Sequence, residues 1–275
     1  QFEIAYGDVL GSGSTYYNSA VEGKSPSLSI YGQYRALILE DENKSFTFGT
    51  DNNVFTTPNF WVISMDRARY KESLFPGSLN LKLSGSNGVI NLTDNSKDVS
   101  VNTFIGSSKV YQLISGSNGT SGTLANSGYV SGKGSYGLVF PELGTILLNP
   151  QAISQSIHVD AVRTANSANG VNNATLYTSI VLGENFKLNS QETITSDYVF
   201  TRARNSEFNY TQNPTFISGS TGEVIYDNFI NNPQTFITTI GMYNDSNDLL
   251  AVAKLSRPLL KDFTKEALVR VKLDF

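Results

Sequence analysis

The last quarter of the chain, residues 235–275, constrains the fold more than any other stretch. Leu268 to Phe275 reads LVRVKLDF, with Val269, Val271, Leu273 and Phe275 on one side and Arg270, Lys272 and Asp274 on the other. Alternation with a period of two marks a strand with one buried face. Upstream, Thr235–Tyr243 (TFITTIGMY) and Leu249–Leu255 (LLAVAKL) flank the turn-forming residues Asn244–Asp248. Two β-branched apolar runs joined this way predict a β-hairpin. Pro258 has no N–H to donate, so pairing of the second strand is expected to stop before it. A chain end frays unless a sheet holds it, so the final strand is expected to be a paired member of the core sheet.

The composition agrees with a β protein. Only 16% of the 275 residues are charged and 39% are hydrophobic. Ser, Thr, Asn and Gly fill the difference, which favours strands and turns under a weakly charged surface. The length suits one large or two medium domains. A net charge of -4 and a pI of about 5.1 argue against nucleic-acid binding. Without cysteine there is neither a disulfide framework nor a thiolate metal site. No run of 18 apolar residues predicts a membrane span. The opening QFEIAYGD lacks the basic and apolar regions of a signal peptide. Its lack of an initiator Met points to processing or to a longer product.

Taken in order, residues 1–34 are rich in Gly, Ser and Tyr and sustain no period. Tyr6, Tyr16, Tyr17, Tyr31 and Tyr34 make the segment unlike a flexible linker. They suit an extended arm that lies on a partner, or else loops packed on their own domain. Arg35–Leu39 (RALIL) reads as a short buried strand, paired through the acidic turn Glu40–Lys44 with Ser45–Phe48. Phe60–Met65 carries the only Trp and reads as a strand. Leu79, Leu81 and Leu83 alternate with polar residues, so that strand is buried on one side. LSGSNG at 83–88, ISGSNG at 114–119 and ISGSTG at 217–222 read as tight turns after strands. Further strands are expected at 89–92, 99–105, 110–114, 136–140, 145–148 and 194–204. Helix is expected only within 151–189, with Ala174–Leu182 following Asn173 as cap and ending at Gly183.

The residues offer little for catalysis. His158 is the single histidine, and no GxSxG elbow accompanies it, so it reads as a packing or surface residue. The 24 acidic residues lie mostly in turns, such as Glu40–Glu42. Asp94–Asp98 and Asn244–Asp248 resemble calcium loops without completing the twelve-residue pattern. No phosphate-binding glycine motif occurs. Arg202 and Arg204 lie two apart on one strand face with Glu207 nearby. They read as a surface ion pair or as a clamp on a partner's carboxylates.

Several blocks resemble virion structural proteins of T4-like contractile-tailed bacteriophages, of the marine and cyanobacterial type. These are Asn232–Phe275, SIYGQYRALIL at 29–39, RYKESLFPGSLNLKLSGS at 69–86 and FTRARNSEFNYTQNPTF at 200–216. Ile240–Pro258 (IGMYNDSNDLLAVAKLSRP) is similar to a hairpin of phage tail, baseplate and fibre proteins. The resemblance covers about half the chain and brings no catalytic motif. It implies a non-enzymatic structural subunit in the virion tail, assembled in the host cytoplasm. Its partners would be other tail or baseplate proteins, with several copies per particle and no nucleic acid, membrane, cofactor or metal. The interface candidates are Tyr16, Tyr17, Tyr31, Tyr34, Arg202 and Arg204.

The sequence therefore predicts a mainly β chain of antiparallel, sandwich-like sheets with one short helical insert near 152–183. An extended arm at 1–34 would precede a β framework made of 35–83 and 190–275, with 84–189 as a β-rich insert. The second functional expectation, from the loop Tyr and Asn residues, is a receptor- or glycan-binding module. A cell-wall hydrolase is disfavoured.

Overall fold

The computed structural model describes residues 2–13, 25–50, 53–98, 103–122, 125–164 and 170–275. It is mainly β, with antiparallel sheets and a few short helices. The chain divides into two compact units, residues 1–193 and 194–275.

The first unit is built on one large sheet, curled as a half-barrel. Its strands are β1 (Phe2–Asp8), β2 (Asn59–Met65), β3 (Asn80–Gly85), β4 (Gly88–Asp94), β5 (Thr103–Ile105), β6 (Ser108–Ser117), β7 (Thr120–Ser121), β8 (Gly137–Phe140), β9 (Thr145–Leu148) and β10 (Phe186–Lys187). The order is β1-β2-β9-β8-β6-β4-β3-β10, with β5 and β7 also on β6. The central runs FWVI, GLVF and TILL are buried throughout. Such uninterrupted apolar runs need cover on both faces. Trp61 and Ile63 enter one cluster, under helices α2 (Pro150–Ile157) and α3 (Val171–Gly183). Phe60 and Val62 enter the other, with Tyr31 of helix α1 (Pro26–Tyr34) and with Phe46 and Phe48. Gly183 lets the end of α3 lie against β3, where any Cβ would collide with the Lys82 carbonyl.

This arrangement corrects several expectations. Residues 1–34 do not form an extended arm at either described end: β1 pairs with β2 from Phe2 to Asp8, and α1 begins at Pro26. Ser25-Pro26 is a helix start, because proline at the first helical position lacks only an N–H that has no helical acceptor anyway. RALIL continues α1 as five residues of π-helix rather than forming a strand. Glu40 ends it in the left-handed region, φ 55. The partner of Thr47–Phe48 is Phe55–Thr56. Residues 84–189 are not an insert, since β4, β6, β8 and β9 lie inside the sheet that β1 and β2 begin. The helix expected at 174–182 runs from Val171 to Gly183, with Gly170 in place of Asn173 at the cap. A second helix, α2, is capped by Asn149, whose side chain accepts from the Gln151 and Ala152 N–H groups.

The second unit contains two antiparallel ribbons and one helical turn, α4 (Asp227–Asn231). One ribbon pairs β11 (Ser196–Ala203) with β14 (Ala267–Asp274). The other pairs β12 (Gln234–Tyr243) with β13 (Leu249–Asp262) across the Asn244–Asp248 turn. The final strand is thus paired, but in a two-stranded ribbon rather than in the large sheet. Pairing also continues past Pro258, contrary to expectation. The register shifts between Ile237 and Thr239, and β13 resumes with Leu259 opposite Ile237. An irregularity frees the proline from donating to the ladder, which is how a strand tolerates it.

Candidate interaction surface

In the first unit, polar groups that could serve chemistry are held as structural pins. Asp8 is wholly buried. Its carboxylate accepts from the Leu10 and Ser12 N–H groups at 2.9 and 3.3 Å and from Arg163 Nε at 2.7 Å. The adjacent carboxylate raises the Arg163 guanidinium above its ordinary value. Asn59 donates to the Tyr6 hydroxyl at 3.0 Å, and burial pushes that phenol well above the usual tyrosine range. The Asn172 side chain bonds both Val162 and Gly13, and the backbone carbonyl of Asn172 accepts from Trp61 Nε1 at 3.0 Å. Asp94 accepts twice from the Gly77 N–H and once from the Ser96 N–H. Each carboxylate is satisfied by fixed donors, which ties loops to the sheet.

The residues singled out for chemistry are scattered. His158 is exposed and ends α2 in the left-handed region, φ 54. Among the described residues no group of three His, Cys, Asp or Glu is placed to hold a metal ion. Tyr31 is only 1% exposed and stacks on Phe60 at 5.2 Å. Tyr34 lies half-buried with its ring edge to Phe60. Tyr31 is closed within the core, and Tyr34 packs against the same cluster while keeping part of its ring exposed. Tyr16 and Tyr17 lie outside the described residues. Arg202 pairs with Glu266 across the ribbon, its Nη2 at 2.5 Å. Arg204 is exposed, and Glu207 accepts from its backbone N–H rather than from its guanidinium.

The second unit has a different character. Four hydrophobic side chains in it are buried: Ala203, Ile240, Ala267 and Val271. By contrast, 18 of the 27 exposed large hydrophobics of the described residues belong to it. The strand β11 explains why. Tyr198 and Phe200 point to one face opposite Lys272 and Arg270, while Val199 and Thr201 point to the other opposite Val271 and Val269. Both faces carry apolar groups, yet two strands have only one neighbour each. Arg270 covers the Tyr198 ring at 5.2 Å, and Phe200 stays 63% exposed. On the other face a cleft of about 430 Å³ runs between the ribbons, lined by Thr201, Ala203 and Val269 on one side and by Phe236, Ile237 and Ile240 on the other. No charged residue lines it.

One polar device organises this unit. Lys261 on β13 is 1% exposed. Its ammonium donates to the carbonyls of Asn205 (3.0 Å) and Glu207, and to Asn209 Oδ1 at 2.6 Å. A buried ammonium needs such acceptors, having lost water. It fastens the 205–209 loop, which carries Phe208, to the second ribbon. The exposed aromatics escaped the sequence reading, although YVFT at 198–201 carries the signal, since it lacks a polar face.

No family model matches the chain, and no curated protein or solved structure matches it either.

The first unit therefore offers a finished core with pinned loops. The second offers a broad apolar surface, an uncharged cleft and strands with free edges. Chemically, such a surface can bind another protein by displacing water and adding strands.

Proposed function

We propose that this chain is a structural subunit of a contractile bacteriophage tail, in the baseplate or attached to it, and that it acts through protein–protein contacts without chemistry of its own. The observation that carries the reading is the second unit's exposed apolar surface. Soluble monomers rarely leave contiguous apolar patches beyond a few hundred Å² uncovered, and larger ones mark interaction sites. Two of the four blocks of the phage-like resemblance, Phe200–Phe216 and Asn232–Phe275 with its hairpin Ile240–Pro258, fall in that unit. A component built into a particle has this surface covered for most of its life.

The test is made on purified particles of the virus that encodes the chain. Quantitative mass spectrometry is expected to find it in fixed stoichiometry with tail proteins, and gold-labelled antibody is expected to mark the tail end. Absence from purified particles would sink the reading, as would release of soluble fragments from cell-wall material by the pure protein.

A further inference from the structure

We infer that residues 194–275 complete their core with a second copy of this chain, through the free edge of β12 and the apolar cleft beside it. The inference names the partner for the assembly surface proposed above and to that extent rests on that reading.

This unit has too little core of its own. A two-stranded ribbon is marginal in water, and independent stability takes three or more strands with a covered face. The second unit has two such ribbons and four buried hydrophobic residues. Its cover must be present when it folds. Surfaces of that kind belong to obligate interfaces, which resemble a core cut in half, whereas partners that come and go meet on faces as polar as ordinary surface.

Nine Phe and Tyr side chains of the unit are 46–72% exposed. At roughly 200 Å² per ring they offer on the order of 1,000 Å² of surface. A stable interface takes roughly 800 Å² from each partner; Phe208, Tyr210 and Phe236, the rings that line the cleft, supply on the order of 400 Å² of it, and the β12 edge with its flanks supplies the rest.

The unit is also suited to pair with itself. The unit carries eight Lys and Arg against nine Asp and Glu, so two copies meet with little net repulsion. The edges are unequal. Strand β13 carries Lys254 and Pro258, and β14 carries Arg270 and Lys272, which are the groups that guard natural edges. Strand β12 is ten residues long and has no charge and no proline. Paired only with β13, it presents an open row of backbone groups on its other side. An antiparallel pair of β12 with the same strand of another copy is generated by a two-fold axis, so both open rows are satisfied at once by one sequence. The pairing would bring the apolar clefts of both copies to the same interface.

The experiment is sedimentation equilibrium of the full chain from about 1 to 100 µM, alongside Thr239→Lys, which places a charge on the exposed β12 edge. The wild type is expected at twice the 30.0 kDa chain mass or a higher multiple. The variant is expected to dissociate at least about tenfold more readily, because a lysine on an edge opposes strand addition. Hydrogen exchange on the wild type gives a second readout that does not depend on the variant folding: amides of 234–243 should be protected in the assembled protein and exchange on dilution. A 30.0 kDa species at all concentrations overturns the inference. So does an oligomer with unchanged affinity in Thr239→Lys and unprotected 234–243 amides. A dimer absent from phage particles leaves the inference standing and removes the tail reading. A particle component that is monomeric in solution and single-copy in the particle does the reverse.

Discussion

The two units use the same kinds of strand to opposite ends. In the first, strands such as FWVI and TILL carry apolar groups on both faces, and helices and loops cover both. In the second, β11 carries apolar groups on both faces as well, yet nothing within its own unit covers Phe200, and Tyr198 is half open beneath Arg270. A strand pattern states that a face is apolar; it does not state which chain supplies the cover. The difference leaves a closed core in the first unit and exposed apolar side chains in the second.

The largest expected effect that tests this contrast is alkaline. Burial raises the phenols of Tyr6, Tyr31, Tyr34 and Tyr136, all in the first unit, above their ordinary value. The Tyr136 phenol is buried beside Ser156, and loss of water outweighs that hydrogen bond. A phenol raised in the folded state binds its proton more tightly there than in the unfolded chain. The stability this contributes is complete below the ordinary tyrosine range, near about pH 10, and is lost as pH rises through the folded values. Denaturant melts followed by the first unit's Trp61 fluorescence should therefore show a steep loss of stability above about pH 10. A flat profile up to about pH 12 would mean that these rings are not buried as described.

Next in size is Trp61→Ala. It empties a wholly buried site and removes the bond to the Asn172 carbonyl. The expected loss is about 3–5 kcal/mol in chemical denaturation, read by circular dichroism. In the second unit, Lys261→Met keeps the stem but leaves three oxygens without their donor. A loss of about 1.5–3 kcal/mol is expected, with faster amide exchange over 205–209. Unchanged exchange there would show that the loop is held by other contacts.

The smallest effect is Phe200→Ala in dilute protein. With the ring 63% exposed, monomer stability should change by less than about 0.5 kcal/mol. A change as large as that of Trp61→Ala would erase the contrast between the units, because it would mean that Phe200 is already covered within one chain.

Sequence and structure agree best where one residue pattern has one local solution. The alternation in Leu79–Leu83, the turns at the SGSNG repeats and the 235–255 hairpin needed only period and turn chemistry. Agreement fails where a distant partner decides. RALIL is as apolar as a buried strand, but the preceding Ser25-Pro26 start had already committed the chain to a helix. Pro258 was a sound stop signal for a regular ladder, and an irregularity in β13 removed its force.

By itself, the sequence determined the β class, the turns at the SGSNG repeats and the 235–255 hairpin, because these follow from period, composition and local backbone preference. Only the tertiary structure decided which strands are neighbours and where the chain divides. It also decided which apolar faces are closed: Tyr31, read as a candidate contact, is closed within the core, and Phe200 is left open. The reason is physical. The hydrophobic effect acts on surface area and carries no address, so a residue's type fixes its tendency to be covered while only its packing partners fix whether it is.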